Sequence, residues 1–395
     1  MNLSNDKHKI TIPVLLLSLL SACSNDGTTN NAALSAGQNQ SAEMQKNEPT
    51  IVLKDLFSDN FKIGTALSRE QIIGKDTNIL PFVNKHFNAI TPENSMKWER
   101  IHPEDGVYDF EAADALVEFS NKNNHFFIGH TLVWHSQVPD WVFEHKDGSP
   151  LNRSELLKRM EAHINAVAGR YKGKIDAWDV VNEALNEDGS LRESKWSAII
   201  GDDFIDQAFM MAAKAAPNAK LYYNDYNLYK PEKRNGVLRL VKRLQSKGIR
   251  IDGVGMQAHY SLDSPELTEI DDSIKAYSAL NMDVLITELD VSVLPFPDEN
   301  NMGADVSLNF DLQAEFNPYP DSLPASVEKQ LGERYRALFN IFNRHQNVIK
   351  RVTFWGVSDA QTWRNGWPMT GRSDYPLLFD RQLQTKPFVS SLNLQ

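Results

Sequence analysis

The stretch AWDVVNE, residues 177–183, and a second of the same kind, DVLITE, residues 283–288, decide the fold. Each is a short, nearly continuous apolar run that ends on a glutamate. Apolar residues at consecutive positions suit a strand covered on both faces, as parallel strands are. A glutamate at the carboxyl end of such a strand points into the mouth of an α/β barrel, where barrels of this kind hold their chemistry. Glu183 and Glu288 are therefore a candidate acid and nucleophile pair for breaking glycosidic bonds.

Outward from these two runs, the pattern repeats. Eight strand candidates can be counted: residues 62–66, 87–91, 126–131, 175–182, 220–224, 253–257, 284–287 and 351–355. Between them lie longer segments of helical period, as in residues 154–170, 203–215, 233–247 and 327–344. Alternating strand and helix predicts a single α/β domain over residues 51–395, a (β/α)8 TIM barrel that closes on itself and leaves no sheet edge. An open doubly wound sheet is the alternative, but the Gly-rich phosphate turn that usually follows its first strand is absent after Ala66. The longest connection, residues 290–324, follows Glu288 and is broken by Pro-Phe-Pro and Asn-Pro-Tyr-Pro; it is expected to wall one side of the cleft.

The chain has 395 residues, 41% of them hydrophobic, enough for a large core, and a formal net charge of -11. No run of lysine or arginine forms a patch, so nucleic acid is a poor electrostatic match and a neutral substrate a better one. Eight Trp, eleven Tyr and nineteen Phe supply flat apolar faces that suit sugar rings and ordinary cores alike.

At the amino terminus, Lys7, His8 and Lys9 precede an apolar run too short to span a bilayer, followed by Leu20-Ser21-Ala22-Cys23. Residues 1–23 read as a secretory signal. Cys23, the only cysteine, excludes a disulfide within the chain. Leu-Ser-Ala-Cys resembles the bacterial lipoprotein box, which implies lipidation of Cys23 and a membrane contact through that anchor alone; a plain signal peptide with a chance cysteine is the duller reading. Residues 24–50, rich in Asn, Ser, Ala and Gln, are expected to form a disordered tether.

Glycoside hydrolysis needs one carboxyl to protonate the departing oxygen and another to meet the charge growing on the anomeric carbon. A gap of about 5 to 5.5 Å between them gives retention, and about 6.5 to 9.5 Å gives inversion. Sequence leaves that gap open. A lone glutamate at a strand end is more often a salt bridge or solvated rim, but here Asn182 precedes Glu183 and can donate to a sugar 2-hydroxyl. Asp290 stands two residues beyond Glu288 and could hold His259, which could in turn hold Glu288. Glu183 must be protonated at working pH, which calls for burial and for the negative charge of Glu288 nearby.

Seven ordered motifs resemble the family 10 glycoside hydrolases, the endo-β-1,4-xylanases, across essentially all of the body. They are HFNAITPENSMKWE (86–99), GHTLVWHSQVPDW (129–141), WDVVNEA (178–184), YYNDYN (222–227), GVGMQAHY (253–260), ITELDV (286–291) and FWGVSDAQTW (354–363). The resemblance implies a retaining enzyme with Glu183 as acid/base and Glu288 as nucleophile, the latter oriented by His259 and Asp290. It implies substrate contacts from Glu93, Asn94 and Lys97, from His130 and Trp134 where the bond breaks, and from Asn182, Tyr226 and Gln257 near the acid/base. It further implies stacking by Trp355 and Trp363. Each has a duller interpretation: Glu93 and Lys97 have helical spacing and could pair on a surface, His259 could be a core histidine, and Trp141, Trp178, Trp196 and Trp367 could pack in the core or rim.

The reading is of an exported bacterial lipoprotein, at the outer membrane or cell surface with a periplasmic face also open, acting as a monomer on xylan and xylo-oligosaccharides. No cofactor is expected, and no metal, since the histidines are scattered and the sole cysteine lies in the leader. The rivals are another retaining β-glycanase of the same barrel group, acting on glucan or mannan, and a non-catalytic glycan-binding lipoprotein.

Overall fold

In the computed structural model, which describes residues 51–296 and 314–393, nine strands follow one another in the chain. They are β1 Lys62–Leu67, β2 Ala89–Pro92, β3 Phe126–Val133, β4 Ala177–Asn182, β5 Lys220–Asp225, β6 Gly253–Met256, β7 His259–Ser261, β8 Asp283–Ser292 and β9 Ile349–Phe354. All pair in parallel, in the order β6-β5-β4-β3-β2-β1-β9-β8-β7, and β6 also pairs with β8, which closes the sheet. The short β7 continues the line of β6: Met256 pairs with Ile286, and His259 pairs with Asp290 further along the same strand. Between them Ala258 turns through φ +65°, which displaces the outer part of the strand. The architecture is thus an eight-stranded closed barrel, a (β/α)8 TIM barrel, one of whose staves is broken into β6 and β7. The leader with Cys23, the tether and residues 297–313 of the long connection lie outside the described residues.

All eight strand candidates are present, with moved ends. β2 starts at Ala89 because the helix Leu80–His86 runs up to Phe87, and β8 extends through Ser292 because its outer half pairs with β7. The connection after Glu288 therefore begins at Val293, three residues beyond Asp290. Helices Arg153–Arg170, Phe204–Ala215, Pro231–Ser246 and Ala325–Arg344 cover the outside of the barrel, together with Glu111–Asn123 and Leu267–Ser278. Arg153–Arg170 shows the local logic. Asn152 and Glu155 form a reciprocal capping box at its start, and Leu156, Met160, Ile164 and Val167, spaced by three or four, face the strands. Each such side chain, fully removed from water, contributes roughly 2 kcal/mol before entropy is counted.

The main core fills the space between strands and helices, and a small separate cluster of Ala89, Ile128, Ala177, Tyr222 and Leu285 plugs the amino-terminal end of the barrel. The carboxyl-terminal end stays polar. Room for it is made by Gly255 on β6, where a Cβ would lie 2.8 Å from the Thr287 methyl.

Candidate active site

Glu183 follows the last residue of β4, and Glu288 is the sixth residue of β8, so both carboxyls sit at the carboxyl end of the barrel. They line one cleft of about 310 Å³, together with Glu93, Asn94, Lys97, His130, Trp134, Asn182, Gln257, His259, Trp355 and Trp363. Two further residues of the sequence-derived set lie just behind it. Asp290 is wholly buried beneath His259, and Tyr226 packs behind the backbone of Glu183. The structure thus brings ten of its fourteen barrel residues to the cleft wall beside the two glutamates and puts the other two in support. Gln137, Gly366 and Trp367 also line the cleft.

The two carboxylates occupy different environments. Glu183 Oε1 accepts from Gln257 Nε2 at 2.8 Å and Asn182 Nδ2 at 3.1 Å, while Oε2 accepts from the Trp134 indole at 2.9 Å. All three donors are uncharged. Glu288 meets a cation: His259 Nε2 is 3.2 Å from Oε2, and His259 Nδ1 is 3.0 Å from Asp290 Oδ2. Burial alone would lower the His259 pKa, but the charge and hydrogen bond of Asp290, reinforced by Glu288, raise it to about 9. The imidazolium then donates from both nitrogens. Burial would raise the Glu288 carboxyl; the His259 hydrogen bond and the charges of His130, His259 and Lys97 hold it below its ordinary value instead.

Two residues that the sequence argument passed over complete this arrangement. Asn224, at the end of β5, donates to Glu288 Oε1 at 2.8 Å and to Asn182 Oδ1 at 2.9 Å. Its own carbonyl accepts from Thr287 at 2.6 Å, which fixes the direction of the amide. A continuous line of hydrogen bonds therefore runs from Glu288 through Asn224 and Asn182 to Glu183. Arg364 approaches Asp290 Oδ1 with Nε at 2.9 Å and Nη2 at 2.7 Å, and Trp363 donates to Oδ2 at 2.7 Å. Burial would raise the Asp290 carboxyl, but the charges and hydrogen bonds of Arg364 and His259 hold it down to about 2. Asn224 lay inside the YYNDYN run and Arg364 beside Trp363; only the packing singles them out.

The opposite wall carries Lys97, whose ammonium donates to Asn94 at 2.8 Å and lies 4.8 Å from the Trp134 ring centre. Burial pulls its pKa down, while Glu288, Glu93 and Glu183 pull it up. Lys97 is 7% exposed, so the alternative of a surface pair with Glu93 does not describe it. Burial also raises the Glu93 carboxyl. His130 bonds Asp179 at 3.0 Å and meets Trp355 edge to face. Trp178 and Trp196 are core residues, Trp141 is half-buried with its indole on the Pro103 carbonyl, and Trp367 stacks on Trp363 with centres 4.6 Å apart. Flat indole faces beside polar donors suit a pyranose, which is apolar across its C–H face and polar at its edge.

The chain is similar to known proteins over most of its length. A curated "Endo-1,4-beta-xylanase A" from Xylanibacter ruminicola is 45% identical over 351 residues, covering 89% of this chain and 94% of that protein. Among solved structures, a GH10 endoxylanase retrieved from a sugarcane soil metagenome is 43% identical with a TM-score of 0.81, over 86% of this chain and 98% of the other. A mutant protein solved in complex with xylotriose is 37% identical with a TM-score of 0.77, covering 88% of this chain and all of that one. Residues 52–393 match the model of glycosyl hydrolase family 10, and the chain belongs to that family.

Proposed function

We propose that the chain is an endo-1,4-β-xylanase that cleaves xylan and xylo-oligosaccharides by double displacement with retention. Glu183 is the acid/base and Glu288 the nucleophile. The observation that carries the assignment is that the two carboxyls line one cleft at the carboxyl end of the barrel. Glu288 faces an imidazolium that keeps it ionised, and Glu183 accepts from Gln257, Asn182 and Trp134. The names of the relatives support xylan as the substrate.

In the first step a Glu288 oxygen bonds to the anomeric carbon, the glycosidic C–O bond breaks, and the proton on Glu183 passes to the departing oxygen. Ester formation removes the negative charge of Glu288, which favours loss of the proton from Glu183. Glu183 then takes a proton from water, whose oxygen attacks the anomeric carbon and displaces Glu288. Asn224 and His259 each hold one Glu288 oxygen throughout, and Asn182 is placed to bond the 2-hydroxyl of the sugar in the reacting position.

Product analysis of linear xylohexaose tests substrate and internal cleavage together, with cellohexaose and mannohexaose as controls. Cleavage confined to the controls would reassign the substrate, and binding without cleavage would make the protein a glycan-binding module. Glu288→Ala is expected to abolish turnover. Glu183→Ala is expected to lose about 10²- to 10⁴-fold on xylan, yet keep activity on aryl glycosides with good leaving groups, and with azide to yield the β-glycosyl azide. An α-azide would contradict double displacement.

We also propose export and lipid anchoring of a monomeric enzyme through Cys23, at the outer membrane or cell surface. The basic and apolar leader followed by Leu20-Ser21-Ala22-Cys23 supports this. Mass spectrometry of the amino-terminal peptide of membrane-extracted protein tests it; an unmodified Cys23 would remove the anchor.

A further inference from the structure

Glu183 sits at φ +55°, a left-handed conformation that a residue with a Cβ keeps only where its surroundings hold it there. The peptide that follows it is gripped at both ends. Its carbonyl oxygen accepts from Arg192 Nε at 3.0 Å, and its N–H, carried by Ala184, donates to the Tyr223 hydroxyl at 3.0 Å. Both grips lead back to one side chain. Tyr223 donates to Asp225 Oδ2 at 2.5 Å, and Lys233 Nζ lies 3.0 Å from Asp225 Oδ1. Arg192 Nη2 donates to the Tyr226 hydroxyl at 2.7 Å, and Lys233 Nζ stands 3.5 Å from the centre of the Tyr226 ring. The same ammonium reaches Glu187 Oε1 at 3.1 Å, on the turn just beyond Glu183.

Lys233 is wholly buried. An ammonium taken out of water is costly unless each of its three N–H groups finds a partner, and here two carboxylates and an aromatic face supply them. The helix Pro231–Ser246 that carries it is seated directly on the loop after β4. A Cβ at Gly236 would stand 2.5 Å from the Gly189 carbonyl oxygen, so helix and loop approach as closely as backbone allows. We propose that Lys233 is a positioning residue for the acid/base: its ammonium joins Asp225, Tyr226 and Glu187 into a clamp on the Glu183–Ala184 peptide and so aims the Glu183 carboxyl at the leaving oxygen. The proposal rests on the acid/base reading of Glu183. Without the cation, Asp225 is left as a buried carboxylate held by the Tyr223 hydroxyl and the Tyr226 backbone N–H with no ammonium beside it, and both grips on the peptide lose their common support.

The test compares kcat/KM, which reports formation of the glycosyl-enzyme, on two substrates. Xylohexaose needs a proton on its leaving oxygen, and 2,4-dinitrophenyl β-xylobioside does not. Lys233→Met and Tyr223→Phe are expected to lose about tenfold or more on xylohexaose while changing less than about threefold on the aryl substrate. The alkaline limb of the xylohexaose pH profile shifts with them. Tyr223→Phe deletes one hydroxyl and leaves the ion pairs, so it decides the matter if Lys233→Met fails to fold. An equal fall on both substrates, or no fall on either, overturns the clamp. Glu183→Ala calibrates the split: if it shows none, the acid/base assignment fails and the clamp with it, whereas a split in Glu183→Ala alone removes only the clamp.

Discussion

Titrating His259 is the perturbation whose size the structure gives most directly. The imidazole lies between Asp290 and Glu288, at 3.0 and 3.2 Å, and its pKa in the folded protein rises from 6.5 to about 9. Each tenfold gain in proton affinity is about 1.4 kcal/mol, so the charged form is favoured by roughly 3 kcal/mol over the unfolded chain. A value raised on folding stabilises fully below the unfolded pKa and is lost as pH climbs through the folded one. His259 therefore supports the fold at pH 6 and withdraws that support between about pH 6.5 and 9. The assay is an NMR titration of the labelled imidazole, with urea unfolding at pH 6 and pH 10 alongside. A midpoint near 9 is expected, with roughly 3 kcal/mol of the stability lost over that interval traceable to this residue. A midpoint at or below 7 would refute the claim that the two carboxylates hold the ring protonated.

Asn224→Ala removes a donor from Glu288 and from Asn182 together. At about 1.5 to 3 kcal/mol for a hydrogen bond to a charged group, kcat on xylohexaose is expected to fall about 10- to 100-fold, with a lower melting temperature as well because buried partners are left unsatisfied. Gly332→Ala places a Cβ 2.7 Å from that of Phe388, pushing helix Ala325–Arg344 off the carboxyl-terminal turn. A cost of about 1 to 3 kcal/mol in urea unfolding, with the aryl-xylobioside rate unchanged, is the expected signature of an overpacked contact far from the cleft.

The barrel was legible because its cause is local and repeated. Runs such as 126–131 and 220–224 are apolar at consecutive positions, and the segments between them return an apolar residue every three or four positions, so period alone separates strand from helix. Their ends were less legible. β8 extends to Ser292 and the β6 stave breaks at Ala258 because strand ends depend on which neighbour lies alongside, a nonlocal fact. Likewise Glu93 and Lys97 read equally well as a surface pair until folding buries Lys97 against Trp134.

By itself the sequence determined that two glutamates end buried strands, that Asn182 and His259 accompany them, and that the chain repeats a strand-and-helix unit. Those are properties of neighbouring residues, and period and spacing encode them. Only the tertiary structure decided that Asn224 links the two carboxylates, that Arg364 anchors Asp290, and that Lys233 sits behind Glu183. Each of these is a contact between distant segments, 64 residues apart for Asn224 and Glu288 and 74 for Arg364 and Asp290. Such a pairing leaves no periodic trace in the chain; it exists only once barrel closure sets the end of one strand beside the end of another.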